Sequence, residues 1–378
     1  YHHGEASLNG AIIGLAQNFV GSNNINLLEP KGQFGTRLQG GSDSASERYI
    51  HTNLNKITRN IFTDKDDGIL EYIDDDGTLV EPRYYAPIIP MVLVNGSKGI
   101  GTGFSTDIMC YNPVTIIDYL ISSLNNETEK PMLTPYYKNF KGKIIKLTES
   151  KWLFKGCYER TKKKEIRITE LPVGTWTDDY KKFIEDLIDG IKTTKDKKKQ
   201  SIIKDYNDMS TDIIVDITII FSNESKLDDL LNKNVDENCN ELEKLLRLYT
   251  TKTTTNMHLF DENEKLKKFK TPMEIIEHYI DVRLNTYVTR KKYLIKILEN
   301  EKKILINKVK FIREILSNTL DLRNKKRIEI CEMLKIKNYD IIDDDDEFKY
   351  LIRLPMDSVS EENIEILEKN KDIKVKEL

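Results

Sequence analysis

The chain is poor in the residues that build a disulfide scaffold or a metal centre. Its 378 residues hold only four cysteines and five histidines. Cys110, Cys157, Cys239 and Cys331 stand far apart, with no CxxC pair and no histidine at metal-ligand spacing. That spacing excludes a cysteine-rich zinc module and leaves reduced, intracellular thiols as the default. No apolar run approaches the ~18 residues of a membrane span. No signal peptide and no nucleotide-binding P-loop are visible. A surplus of one charge is also missing: 59 Lys and Arg face 62 Asp and Glu, a net charge of −3. The whole chain is therefore no polycation, and affinity for a polyanion must come from local patches.

What is present suits two or three globular domains, with 39% hydrophobic residues for their cores and 32% charged residues that hint at long exposed helices. Two basic stretches stand out. Lys31, Arg37, Arg48, Lys56 and Arg59 lie against only Asp43 and Glu47. Between Lys138 and Arg167, eleven basic residues face three acidic ones, and a solvated face is as good a reading of this second stretch as a binding surface.

The most informative stretch is Gly40-Gly41-Ser42-Asp43-Ser44-Ala45-Ser46-Glu47-Arg48-Tyr49-Ile50. It sets a tyrosine hydroxyl beside a guanidinium after a run of small residues. A phenol, with a pKa near ~10, is a poor nucleophile at neutral pH unless a cation stabilises its phenolate. Arginine suits a phosphate, because its planar fork donates two parallel hydrogen bonds and stays charged. Small residues upstream let a phosphodiester backbone approach the main chain. The pattern suggests attack by Tyr49 on DNA, although an isolated Arg-Tyr pair is usually structural.

The surrounding sequence carries more weight. Upstream stand Tyr1-His2-His3-Gly4-Glu5, then Leu15-Ala16-Gln17-Asn18-Phe19-Val20-Gly21-Ser22-Asn23-Asn24, then Gly32-Gln33-Phe34-Gly35-Thr36-Arg37. Downstream come Pro87-Ile88-Ile89-Pro90 and Asn95-Gly96-Ser97-Lys98-Gly99-Ile100-Gly101-Thr102-Gly103-Phe104-Ser105-Thr106. In order and spacing these motifs resemble the breakage–reunion region of a type IIA DNA topoisomerase, and their spelling is nearer the eukaryotic and giant-virus branch than bacterial gyrase. The resemblance is dense over residues 1–106, moderate through Ile168-Thr169-Glu170-Leu171-Pro172, and architectural beyond about residue 180.

That resemblance implies a mechanism. Tyr49 would link to a 5′ phosphate and free a 3′ hydroxyl, with Arg48 and His3 neutralising the phosphoryl oxygens. His2, Arg37, Ser46 and Ile100 would contact DNA, Ile100 as an apolar wedge in a glycine-flanked loop. Chemistry alone does not rank His2 against His3. The family works as a homodimer on double-stranded DNA, with ATP and Mg2+. No compact acidic cluster here suits the metal: Asp64-Asp66-Asp67 and Asp74-Asp75-Asp76 read as solvated turns. In the family a TOPRIM domain holds the metal and an upstream domain binds ATP. Since the chain opens inside a motif, it is expected to be an excised piece, cleavage-deficient alone. Location would be nuclear if cellular, or a virion or viral factory. Ala6 stands where relatives often have glutamine, and Phe104 where many have tryptophan.

The expected fold class is α+β multidomain: a partial winged-helix domain over 1–83, an α/β tower over 84–262, and a coiled coil leading to a helical C-gate over 263–378. Leu8, Ile12, Leu15, Ala16 and Phe19 predict a helix over 5–20 with one buried face, stopped by Gly21-Ser22-Asn23-Asn24. A second helix is expected from Asn53 to Phe62. Val92–Val94, Gly142–Leu147, Ile166–Leu171 and Ile213–Ile220 read as strands, with helices near 113–124, 178–191 and 226–233 and a surface loop at 192–200. From Pro272 a long helix carries Ile280, Leu284, Tyr287, Leu294, Leu298, Leu305, Val309, Ile312 and Leu316 at mostly alternating steps of three and four. That seam fits a coiled coil or a helix packed on its own domain. A small helical cap with the acidic loop Asp343–Glu347 and a returning helix over 359–378 follow.

Two other classes compete: a non-catalytic winged-helix protein that bends DNA, which would keep Ile100 without needing Tyr49, and a tyrosine recombinase, which would gather several basic catalytic residues in one domain.

Overall fold

The computed structural model describes residues 4–189, 202–342 and 345–378. His2, His3, the expected loop at 192–200 and Asp343–Asp344 lie outside the described residues. The chain divides into two compact units, Tyr1–Asp64 with Leu70–Leu284, and Lys65–Ile69 with Asn285–Leu378. Helices and strands are mixed, and every strand pair among the described residues is antiparallel.

In the first unit, one core gathers around the sheet Tyr249–Thr253, Lys151–Lys155, Lys143–Thr148. Leu93, Val94, Tyr111, Ile116, Phe154 and Ile276 fill it. The helix Pro113–Leu124 falls where periodicity places it, because Asn112 caps it by accepting from the Val114 N–H at 2.9 Å and Pro113 fixes its first turn. Asn24 acts as a hub: its side-chain amide donates to the carbonyls of Val94, Tyr111 and Tyr136 and accepts from the Lys138 N–H at 2.8 Å. A second core lies under a four-stranded sheet ordered Ile203–Asp208, Ile217–Phe221, Glu165–Glu170, Cys157–Lys162. Alternate residues of the central strands are buried, as a half-covered sheet requires. The helix Thr177–Asp189 packs into this core through Tyr180 and Ile184, and the Tyr180 hydroxyl donates to the Leu246 carbonyl at 2.7 Å.

Several local expectations are corrected. The apolar run Val92–Val94 is helical, Met91–Val94, because Pro90 starts a turn whose carbonyl accepts from the Leu93 and Val94 N–H groups. The strand expected over 213–220 begins only at Ile217. Before it the chain folds back, Thr211 N–H to Ile214 carbonyl and Met209 N–H to Asp216 carbonyl, leaving Ile213 and Ile214 exposed. The helix expected over 53–62 shrinks to Thr58–Ile61, since His51–Leu54 is taken by antiparallel pairing with Leu28–Lys31. The first helix, Glu5–Ala16, buries only Ala16, with Leu8 and Leu15 exposed. Periodicity marks a face able to pack; it does not supply the surface that covers it.

The second unit is helical: most of Pro272–Leu316, then Arg327–Ile336, Lys349–Ile352 and Glu361–Glu377. Phe311, Leu320, Ile330, Leu334, Tyr339, Phe348 and Leu351 form its core. Along the expected seam Val309 and Ile312 are buried, while Leu294 and Leu316 remain exposed.

Candidate nucleic-acid interface

The loop from Gly32 to Ile50 is built to hold a shape. It leaves the strand Leu28–Lys31 and returns to His51–Leu54, with Lys31 opposite His51. Phe34 and Ile50 are buried against Ala16, which fixes the loop at both ends. Gln17 reaches in from the end of the first helix and donates to the carbonyls of Phe34 and Gly41, at 3.0 and 3.2 Å. Asp43 accepts from the Thr36 N–H at 2.8 Å and its hydroxyl at 2.5 Å. The Ala45 N–H donates to the Gln33 carbonyl at 2.9 Å. Gly35 takes a left-handed backbone, φ +97°, directly over Gly41.

After this cross-tied stretch comes one helical turn, Glu47–Tyr49, closed by the Tyr49 N–H on the Ser46 carbonyl at 2.9 Å. Tyr49 is 73% exposed, while its neighbour Ile50 is 9% exposed. The buried isoleucine anchors the backbone, and the phenol projects into solvent. Arg48 and Ser46 are exposed on the same turn. Glu47 is held below the usual carboxylate range, first by a backbone hydrogen bond and then by the amide of Asn9 at 3.3 Å.

Arg37 departs from its expected role as a DNA contact. It is 5% exposed, and its guanidinium is bonded to Glu170 on the strand Glu165–Glu170. Five of the eleven basic residues in the second stretch are likewise committed to local partners: Lys146 pairs with Glu149, Lys155 with Glu243, Arg160 with Asp228, Lys162 with Glu165 and Arg167 with Asp216. This favours the solvated-face reading.

Ile100 sits on a hairpin, Ser97–Ile100 with Ser105–Ile108, and is 94% exposed. An aliphatic side chain so exposed at a tight tip has no part in a core. Gly99 and Gly103 leave open space around the tip, and Gly103 takes φ +84°. Sequence reasoning missed the side chains that hold these two projections. Gln17 and Asp43 tie the tyrosine loop, while Asn256, His258 and Phe260 lie beneath the hairpin. Only their spatial pairing reveals them.

Among the described residues no three His, Cys, Asp or Glu side chains are grouped to hold a metal ion. The described residues therefore offer no fitting ligand set for the magnesium that the resemblance implies. No helix among them is long and apolar enough to cross a membrane.

The family model for the A subunit of DNA gyrase/topoisomerase IV matches residues 1–378. The chain belongs to that family. This gyrase/topoisomerase chain is 44% identical to DNA topoisomerase 2 of Plasmodium falciparum over 92% of its own length and 24% of the relative's. It is 45% identical to DNA topoisomerase 2 of Pisum sativum, over 90% of this chain and 22% of that one. The Acanthamoeba polyphaga mimivirus DNA topoisomerase 2 is 38% identical, over 89% of this chain and 30% of that one. The chain thus spans about a quarter of the length of the curated relatives it matches. A crystal structure of the Plasmodium falciparum topoisomerase II DNA-binding, cleavage and re-ligation domain superposes with a TM-score of 0.87 at 39% identity. That match covers 100% of this topoisomerase-family chain and 52% of the solved one.

Proposed function

We propose that the chain carries the DNA breakage–reunion centre of a type IIA topoisomerase, with Tyr49 as its nucleophile. The observation that carries this reading is the exposed phenol of Tyr49 on a turn anchored by buried Ile50 and cross-tied by Gln17 and Asp43. A nucleophile set on a rigid support loses little freedom when it meets its target. In the reaction the Tyr49 oxygen bonds to phosphorus and the phosphorus–O3′ bond breaks. The phenolic proton leaves to solvent or a base, and the departing 3′ oxygen ends as a hydroxyl. One phosphodiester replaces another, so the 3′ hydroxyl can attack back and restore the strand without an energy source. Arg48, permanently charged and next in the chain, stabilises the phosphoryl oxygens as charge develops. His3 shares that role, and His2 and Ser46 contact the DNA.

Ile100 enters a base step as a wedge and bends the duplex. Two copies of the chain act together, joined through the helices of the second unit as a C-gate, so that paired Tyr49 residues open both strands for ATP-dependent passage of another duplex. In this reading residues 1–83 form part of a winged helix, 84–262 the tower, and 263–378 the coiled coil and C-gate. Magnesium and ATP would act through groups other than those described above. The location follows the host: nucleus, or virion or viral factory.

The test is denaturant trapping of a covalent protein–DNA adduct with the complete protein. Wild type should give an adduct joined to the 5′ phosphate, and Tyr49→Phe should give none while still binding DNA. An adduct that survives Tyr49→Phe, or one joined at a 3′ phosphate, overturns the assignment. Absence of any adduct with wild type, together with retained bending, would favour the architectural DNA binder.

A further inference from the structure

We propose that the segment Asn256–Phe260 is a pedestal for the Ile100 hairpin, and that Asn256, His258 and Phe260 are positioning residues for the wedge. This rests on the reading of Ile100 as a group that enters a base step.

A wedge is useful only if it does not yield. Unstacking a base step is costly, and the same resistance pushes back on the tip. A two-stranded hairpin is marginally stable alone, and the strands Ser97–Ile100 and Ser105–Ile108 are each four residues long. Their stiffness must come from outside.

The strand Met257–Phe260, paired with Leu266–Phe269, lies beside Ser105–Ile108 and supplies it. The Asn256 carbonyl accepts from the Asp107 N–H at 2.8 Å, and the Asn256 amide donates to the Ser105 hydroxyl at 2.9 Å. His258 Nδ1 lies 3.0 Å from the Ser105 carbonyl and 3.1 Å from Asn256 Oδ1. Both neighbours are acceptors, so the imidazole carries a proton on Nδ1 and donates to them. Ser105 is the register partner of Ile100. Two side chains of the pedestal therefore grip the residue directly across the ladder from the wedge.

The tip has its own support. The Gly101 N–H donates to the Phe104 carbonyl at 2.8 Å, and a Cβ on Gly101 would stand 2.6 Å from Phe104 Cζ. The Phe104 ring thus lies flush under the turn. It meets Phe260 edge-on, centroids 5.7 Å apart at 85°, and His258 at 6.5 Å. Phe260 is 61% exposed, so its ring contributes little to the core and much to this one contact. Backbone and side-chain hydrogen bonds hold the strand, and edge-to-face rings hold the turn, so the wedge is set before DNA arrives.

The experiment uses the complete protein and a duplex labelled at both ends, with bending read by energy transfer at saturating protein. Phe260→Ala and Asn256→Ala should each lose most of the wild-type transfer change. Phe260→Tyr, which keeps the ring, should restore it, and the melting temperature of Phe260→Ala should stay near wild type. Ile100→Ala is run beside them. If Ile100→Ala bends DNA normally, the wedge reading fails and this inference with it. If Ile100→Ala loses bending but Phe260→Ala and Asn256→Ala keep it, the pedestal alone is wrong. Equal loss in Phe260→Tyr and Phe260→Ala, or a loss matched by a large fall in melting temperature, also overturns it.

Discussion

Arg37 and Glu170, 133 residues apart in sequence, meet at 2.5 Å with side-chain exposures of 6% and 2%. Glu170 also accepts from the N–H groups of Leu171 at 3.0 Å and Lys141 at 3.2 Å. The loop that ends in Tyr49 is thereby fastened to the sheet of the second core. Breaking such a pair from one side leaves a buried charge without its partner, at a cost of about 3–5 kcal/mol. Arg37→Met should lower stability by that order, and adding Glu170→Gln should recover part of it. The check is a double-mutant cycle by denaturant unfolding. The salt dependence of DNA binding should not change in slope, because the Arg37 guanidinium is buried on Glu170; a shallower slope would return it to the interface.

Arg48 is the opposite case, an exposed residue immediately before Tyr49 in the chain. In the proposed reaction its worth lies in the transition state, where charge gathers on the phosphoryl oxygens. Removing one such stabilising group typically slows a reaction about 10²–10³-fold. Arg48→Ala should slow adduct formation by this order while weakening DNA binding only slightly. Single-turnover trapping measures the first and fluorescence anisotropy the second. A large loss of binding with an unchanged rate would make Arg48 a docking residue.

The two projections were legible in the sequence, and their supports were not. Tyr49 and Ile100 announce themselves through local composition, a tyrosine after small residues and an isoleucine between glycines. Gln17, Asn256 and Phe260 carry no local signal, since their meaning is a partner far along the chain. The helix Pro113–Leu124 was readable because its cap, its proline and its periodicity agree. Val92–Val94 misled because an apolar triplet fits strand and helix alike, and Pro90 decides between them. Arg37 misled because a positive charge reads the same whether it faces phosphate or a buried carboxylate.

Acid should weaken an identifiable ion pair on the outer face of the four-stranded sheet. Asp216 accepts from Arg167 Nε and Nη2 at 2.8 and 2.6 Å, and those hydrogen bonds hold its carboxyl below its ordinary value of 3.8. The folded protein therefore binds that proton more weakly than the unfolded chain does. The stabilisation is fully present above the unfolded value and is lost as pH falls through the folded one. Asp216→Asn removes this pH-dependent part. The melting-temperature gap between wild type and variant should stay constant from about pH 7 to 5 and narrow below about pH 4. A gap that widens on acidification would assign the acid response to other carboxylates.

Gly35 tests whether the loop's shape matters to chemistry more than to folding. Its φ of +97° lies in the left-handed region, and a Cβ there would stand 2.5 Å from the Gly41 carbonyl oxygen. That neighbour is backbone, itself held by Gln17, so it cannot swing aside as a flexible side chain would. A strained backbone of this kind costs about 1–3 kcal/mol. Gly35→Ala should therefore lower stability by this modest amount while displacing Gly41, Asp43 and the turn that presents Tyr49. A displacement near 1 Å can cost about 10²-fold in rate when a reactant must be aligned. Adduct formation should consequently fall much further than the melting temperature implies, with the protein still folded by circular dichroism. If the variant forms adduct at the wild-type rate, the cross-ties of the loop are structural only and do not aim the phenol.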